Sequence, residues 1–202
     1  MNHSVSRLPP FRPIGAVLML CLMAFIAIYS ALASADVQEQ RRSRIGLRIF
    51  GATLQADEAI HRKTDDQQLL VLLVYTSNSH LPETYRDEFM RFNAGQIVVG
   101  TQSTPLNIEV IQPAELSRFN TRQVAGLFIS ERLQSDDLQQ LITFSEAQRA
   151  LLFSPFEGDV EKGVAAGLSI EAKVRPKLNA HALKRADIHL KKLFLRIAKY
   201  SE

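Results

Sequence analysis

Short apolar runs alternate with helical patterns along most of the chain. The runs Leu69–Tyr75, Val124–Ile129 and Arg149–Phe153 consist mainly of apolar residues, which is typical of strands buried on both faces of a parallel sheet. Shorter apolar segments at Gln96–Gly100 and Leu106–Ile111 predict two further strands.

Segments with apolar side chains three and four residues apart lie between the strands. They predict helices over Ile45–Asp57, over Pro82–Ala94 and from Ser135, whose hydroxyl is expected to cap the third helix. Strands that alternate with helices of this length predict βαβ units, and hence a single α/β domain with an open, mainly parallel sheet flanked by helices. The periodic positions of the first two helices are Leu47, Phe50, Leu54, Tyr85, Phe89 and Phe92.

The end of the chain has a different pattern. Leu168–Val174 alternates apolar and polar residues, and Arg175–Asn179 is expected to pair with it as an antiparallel strand that Pro176 confines to an edge. Asn179 is a predicted cap of a long C-terminal helix over residues 180–200. The predicted core stripe of that helix is Leu183, Ala186, Leu190, Leu193, Phe194 and Ile197.

The N-terminal residues have the pattern of a secretory signal peptide. Arg7 and Arg12 precede an uncharged apolar run over residues 14–29, and Ala33-Ser34-Ala35 has the small side chains of a cleavage site. These features predict that residues 1–35 are removed and that the protein is exported to the periplasm.

The expected organisation beyond the signal peptide is a polar linker over residues 36–44 and one folded domain over residues 45–202. The alternative for the N-terminus is a retained inner-membrane anchor, since residues 13–35 are uncharged and nearly long enough to span a bilayer.

Composition excludes several classes of protein. Two of the 24 Lys and Arg residues precede Asp36. The other 22 nearly balance the 21 Asp and Glu residues, so the rest of the chain is almost neutral. A nucleic-acid partner is therefore not expected. Because Cys21 is the single cysteine and lies in the N-terminal apolar run, disulfide scaffolds and multi-cysteine zinc sites are excluded.

The sequence contains no recognisable catalytic or metal-binding motif. His181 and His189 share the predicted C-terminal helix, but their eight-residue separation does not suit a metal pair on one helix face. The segment Gly158–Gly163 lacks the Lys-Ser/Thr of a phosphate loop, and no Gly-x-Ser-x-Gly is present. We therefore expect no catalytic residue, no metal and no cofactor, and hence a non-enzymatic protein.

The C-terminal third combines the strand RALLFSP, a variable loop, a glycine-led strand pair ending at Asn179, and a predicted long helix that contains LFLRIA. Over Gly163–Tyr200 this arrangement resembles the YfiR-like family of bacterial periplasmic proteins. The resemblance implies a periplasmic regulator that holds an inner-membrane diguanylate cyclase inactive. The family member best known for this role has structural disulfides, and residues 36–202 contain no cysteine, so redox control is not carried over.

Two function classes follow. The first is a regulator that binds an inner-membrane signalling protein. The second is a periplasmic solute-binding module, because open α/β sheets bind ligands at the carboxyl ends of their strands. The loop residues expected at that crevice are Thr76, Ser77, Asn78, Ser79, Ser154, Pro155 and Phe156.

The predicted C-terminal helix also suggests an interface. Ile188 and Leu195 lie outside its core stripe and are seven residues apart, so they would stack on one side. Lys184, Lys192 and Lys199 share that side. An apolar pair with a charged rim predicts contact with a partner protein or a second copy of this chain. The alternatives are a loop that covers the apolar pair and a lysine face that is merely solvated.

Overall fold

The computed structural model describes residues 37–77 and 80–201, so the predicted signal peptide lies outside the described residues. Beyond Gln40 the described residues form one compact unit. Two 3-10 helices cover Ile60–Arg62 and Pro113–Phe119. The other elements are α1 (residues 37–56), β1 (Leu69–Val74), α2 (Leu81–Phe92), β2 (Gln96–Val99), β3 (Gln102–Ile111), β4 (Val124–Ile129), α3 (Ser135–Gln148), β5 (Leu151–Ser154), β6 (Ala166–Ile170), β7 (Val174–Leu178), α4 (Ala180–Arg185), α5 (Lys192–Leu195) and β8 (Lys199–Tyr200).

The eight strands form one sheet in the order β2-β3-β1-β4-β5-β6-β7-β8. Strands β3, β1, β4, β5 and β6 run parallel to one another, whereas β2 and β7 pair antiparallel with β3 and β6. The predicted α/β sheet with an antiparallel pair and flanking helices is therefore confirmed. The connection that leaves β1 leads to β3 on one side of it, whereas the connection that leaves β3 leads to β4 on the other side. Open α/β sheets form a crevice at such a point, at the carboxyl ends of their strands.

Two hydrophobic cores cover the two faces of the sheet. Alternate residues of β1 point to opposite cores, as the geometry of a strand requires: Leu69 faces one core and Leu70 faces the other. Helices α1 and α2 contribute Phe50 and Phe89 to the first core, and α3 contributes Leu141 to the second. The continuous apolar runs of β1 and β4 are thus buried on both sides.

The first helix begins earlier than the sequence predicted. Residues 37–44, which we expected to be part of a polar linker, are helical and form the first turns of α1. Ser43 is buried, and the Arg42 guanidinium donates hydrogen bonds to the carbonyls of Pro155 and Leu168. Half of these residues are exposed, and helix formation does not require exposed positions to be apolar.

The predicted cap of α3 is also wrong. Gln134 occupies the capping position and makes no side-chain capping hydrogen bond, so Ser135 is the first residue inside the helix. Asp136 and Asp137 do lie in the first turn, where a negative charge stabilises the helix N-terminus.

The long C-terminal helix does not form. Asn179 caps a helix as predicted, since its side chain accepts a hydrogen bond from the Ala182 N–H at 3.0 Å, but this helix ends at Arg185. Asp187 has a φ of 51°, and the Ile188 N–H donates to the Leu183 carbonyl at 2.9 Å. A left-handed residue with this backbone bond is a helix-terminating arrangement.

Backbone hydrogen bonds explain why the chain becomes extended at this point. The Glu58 N–H donates to the His189 carbonyl, and the Lys191 N–H donates to the Ala56 carbonyl, both at 2.9 Å. A helix could not offer these groups to another segment, because its backbone bonds are internal. The chain then forms the short α5 and returns to the sheet as β8.

A buried ion pair lies where this segment meets the end of α1. The Asp57 carboxylate accepts a hydrogen bond from the Lys63 ammonium at 2.6 Å and another from the Ala59 N–H at 2.9 Å. Both side chains are buried. Asp57 itself forms an isolated antiparallel bridge with Leu190, so the ion pair supports the junction between α1 and the C-terminal segment.

We expect Lys63→Met to lower the free energy of unfolding by about 3–5 kcal/mol, because it leaves the buried Asp57 charge without its partner. The double variant Asp57→Leu/Lys63→Met removes both charges and should lose less stability than the single variant. Urea denaturation of the three proteins measures this difference. A single variant as stable as the native chain would contradict the prediction.

Candidate functional site

An open groove of about 860 Å³ lies between α1, α2 and the start of β7. Its lining combines arginine side chains, apolar side chains and one carboxylate. We call it the arginine groove, and its lining residues are Arg41, Arg44, Ile45, Arg48, Ile49, Glu88, Phe92 and Val174.

The periodicity of α1 places its arginines on this groove. Phe50 and Leu54 are fully buried against the sheet, so the opposite face of α1 is exposed. Arg41, Arg44 and Arg48 are separated by three and four residues and therefore lie along that exposed face. The arginine groove is thus a consequence of which side of α1 packs on the sheet.

Glu88 is the acidic group of the arginine groove. Its Oε1 atom lies 3.2 Å from Arg44 Nε, and its side chain is only 13% exposed. Its Oε2 atom is buried and has no hydrogen-bond partner among the described residues. An unpaired buried acceptor lowers stability, and because this atom is inaccessible it forms no part of the groove's contact surface.

Two arginines of the groove carry uncompensated charge. Within residues 37–77 and 80–201, neither Arg41 nor Arg48 lies at ion-pair distance from a carboxylate. The Arg48 guanidinium instead lies 4.6 Å from the centroid of the Phe92 ring, a cation–π distance. The groove therefore presents net positive charge to solvent.

Three of the apolar residues of the arginine groove are exposed to solvent. Ile45, Phe92 and Val174 expose 37%, 38% and 43% of their surface, and they line one continuous groove. Phe92 belonged to the apolar stripe predicted for α2, but it lies at the last residue of the helix and is not buried. Arginine and aromatic side chains around an apolar surface are typical of protein contact sites.

A second groove of about 600 Å³ lies between α2 and the outer side of β3. We call it the edge groove, because β3 is not covered by another strand along this part of its length. Its lining residues are Arg86, Asp87, Met90, Arg91, Leu106, Asn107 and Ile108.

The crevice at the carboxyl edge of the sheet contains an internal carboxylate. Glu131, which follows β4, accepts hydrogen bonds from the Ser77 N–H and the Ser77 hydroxyl, both at 2.9 Å. It also accepts one from the Thr76 N–H at 3.3 Å. The described donors of this loop, on Thr76 and Ser77, are thus engaged by the protein itself. Asn78 and Ser79, which we expected here, lie outside the described residues.

The other residues predicted for the crevice are buried. Ser154 donates a hydrogen bond from its hydroxyl to Asp159 at 2.6 Å and accepts one from the Phe156 N–H at 3.1 Å. Pro155 and Phe156 are buried as well. These three residues shape the loop after β5 and offer no surface to a ligand.

The interface predicted on the C-terminal segment is not assembled. Ile188 is only 5% exposed and belongs to the first core, and Leu195 is half-buried against the same core. Lys184, Lys192 and Lys199 are exposed, but they lie on α4, α5 and β8 rather than along one helix face. The prediction of a stacked apolar pair is wrong because the helix ends before Ile188, which turns that side chain inward.

Perturbed ionisable groups lie outside the arginine groove. Hydrogen bonds from Lys177 and Lys199 lower the pKa values of Glu161 and Glu171, and the backbone N–H of Gln112 lowers the pKa of Glu115. Hydrogen bonds to Glu109 and then to Asp65 raise the pKa of Arg122. Each shift has a local ion pair or hydrogen bond as its cause, which indicates structural contacts.

Within the part of the chain that the structure describes, no three His, Cys, Asp or Glu side chains are grouped closely enough to hold a metal ion. No helix in these ranges is both long and apolar enough to cross a membrane.

Sequence reasoning missed the arginine groove. The signal was present, since Arg41, Arg44 and Arg48 have helical spacing, but they lie across the boundary between the expected linker and the expected helix. Recognising the pattern requires knowing that α1 begins before Ile45.

No family model and no curated protein matches this sequence. Solved structures do resemble the fold. One of them, from Streptococcus pneumonia, is the ABC domain in complex with L-Trp; it superposes on 73% of this chain with a TM-score of 0.50 and 10% sequence identity. The match spans 61% of the length of that protein. At this identity the likeness shows the α/β fold.

We expect Ile188→Ala to lower the free energy of unfolding by about 2–4 kcal/mol, because it removes a buried side chain from the first core. Leu193→Ala is the matched control: Leu193 is 75% exposed, and its truncation should change stability by less than about 0.5 kcal/mol. Thermal denaturation compares the two variants. Equal stabilities would mean that Ile188 is available as a surface residue after all.

Proposed function

We propose that this protein is a non-enzymatic regulator of the periplasm that acts by binding a partner protein in the inner membrane. The observation that supports it best is the arginine groove, an exposed surface in which apolar side chains and unpaired guanidinium groups lie side by side. The resemblance of Gly163–Tyr200 to the YfiR-like family supports the same function and implies that the partner is a diguanylate cyclase.

The chemistry of the arginine groove defines what such a partner must offer. Arg41 and Arg48 favour carboxylates, since guanidinium groups bind them with two parallel hydrogen bonds. Ile45 and Phe92 require apolar contacts. A protein surface with acidic and apolar residues satisfies both requirements.

Solute binding is the second candidate function. It is favoured by the fold likeness to a domain solved with L-Trp. Two observations weigh against an anionic solute at the carboxyl edge: Glu131 engages the nearby donors, and the described residues form a single sheet. A two-lobed binding protein has a second sheet that covers the ligand, and the described residues provide none.

Cells that lack this protein test the proposal. We expect their cyclic di-GMP concentration to rise, and the full-length native chain to restore it. The double variant Arg41→Glu/Arg48→Glu should fail to restore it, because reversing two charges at the contact weakens binding by about tenfold or more. Cyclic di-GMP is measured in cell extracts, together with the amount of each protein.

Lys184→Glu/Lys192→Glu is the matched control. It makes the same change in charge on exposed residues away from the arginine groove, so it should restore the native concentration. Failure of this variant alone would assign the contact to the C-terminal lysines instead. An unchanged cyclic di-GMP concentration in cells without the protein would exclude a diguanylate cyclase as the partner.

A further inference from the structure

The outer side of β3 is covered only in part. Strand β2 pairs with residues Gln102–Pro105, whereas β1 pairs with residues Leu106–Ile111 on the other side. No other described strand pairs with Asn107–Ile111 on the side that faces away from β1. No described strand therefore fills, beside the second half of β3, the position in the sheet that β2 occupies beside the first half.

The backbone groups that face this open side can be identified from the hydrogen bonds. The Ile111 carbonyl accepts from the Tyr75 N–H, which places the backbone groups of Ile111 on the β1 side. The Leu106 N–H donates to the Gly95 carbonyl, which places those of Leu106 on the outer side. Because the direction alternates along a strand, the N–H and C=O groups of Ile108 and Val110 also face outward.

Helix α2 forms the wall of the edge groove above these groups. Arg86 and Met90 are four residues apart and line the groove together with Leu106 and Ile108 of β3. Arg86 forms an ion pair with Asp87, but within the described residues Arg91 has no carboxylate at ion-pair distance. The groove thus offers an apolar floor and a positive charge beside an open strand.

The sequence around this edge carries little of the usual protection against strand pairing. No charged residue occurs between Arg91 and Glu109, and Glu109, the one charged residue of Asn107–Ile111, is paired with Arg122. Exposed edges in natural proteins usually carry lysines or other charges that prevent another strand from pairing. This edge is instead compatible with an added strand.

We propose that the edge groove binds an extended peptide segment of a partner protein, which adds to the sheet as a strand beside Asn107–Ile111. The peptide backbone pairs with the outward N–H and C=O groups of Ile108 and Val110. Its alternate side chains lie against Met90 and Ile108, and a carboxylate at one end pairs with Arg91. Main-chain pairing supplies affinity and the side-chain contacts supply specificity in this mode of recognition. This site is separate from the arginine groove and does not depend on the function proposed for it.

The probe for this site is the fluorescent peptide acetyl-Thr-Val-Thr-Val-Thr-Glu-amide, titrated against the full-length protein. Because successive side chains of a strand point to opposite faces, both valines and the glutamate of this peptide point to the same face. Two N-methylated forms of the peptide, each blocking one set of alternate amides, provide the decisive comparison. Only one set faces β3, so one form should bind at least about tenfold more weakly and the other about as well as the parent.

Variants of the protein test the same contact from the other side. Ile108→Pro removes an N–H that faces away from β1, and proline is tolerated at such an edge position of a strand. We expect this variant to bind the probe about tenfold more weakly. Ile108→Thr keeps the N–H and a β-branched side chain and should bind within about threefold of the native protein. Replacing the terminal glutamate of the probe by lysine should weaken binding by up to about fivefold.

The proposal fails if both N-methylated peptides bind as well as the parent, or if the parent does not bind at all. It also fails if the amide hydrogens of Ile108 and Val110 exchange at the same rate with and without the probe. The peptide comparison and the exchange measurement use the native protein, so they remain decisive if Ile108→Pro does not fold.

Discussion

The packing of α1 on the sheet through Phe50 is the contact on which both the fold and the arginine groove depend. The Phe50 ring lies 5.4–5.7 Å from the rings of Phe89, Phe128 and Phe153, which belong to α2, β4 and β5. Gly126 makes this approach feasible, because a Cβ atom there would lie 3.0 Å from the Phe50 ring. The helix is thereby fixed in rotation as well as in position, and its arginines are held on the outer face.

The same aromatic contact positions α2, which borders both grooves. Glu88 and Phe92 face the arginine groove, whereas Arg86 and Met90 face the edge groove. The two grooves therefore share one helix but use different faces of it. Their chemistry also differs: the arginine groove offers side chains to a partner surface, whereas the edge groove offers backbone groups to a strand.

The sequence was sufficient where local pattern determines structure. The apolar runs of β1 and β4 specify buried strands by themselves, and these were predicted within a residue or two. The C-terminal helix was mispredicted because its end depends on one left-handed residue, Asp187, and on backbone bonds to the distant end of α1. The edge groove was not foreseen because it depends on where β2 stops along β3, which is a matter of long-range register.

The junction between the C-terminal segment and α1 determines when folding can be completed. The Lys191 ammonium donates to the Gln55 carbonyl across a separation of 136 residues. Contacts so distant along the chain require the closure of a very long loop, which slows folding and delays the final cooperative step. Local opening of this junction would expose the end of α1 while the central sheet remained intact.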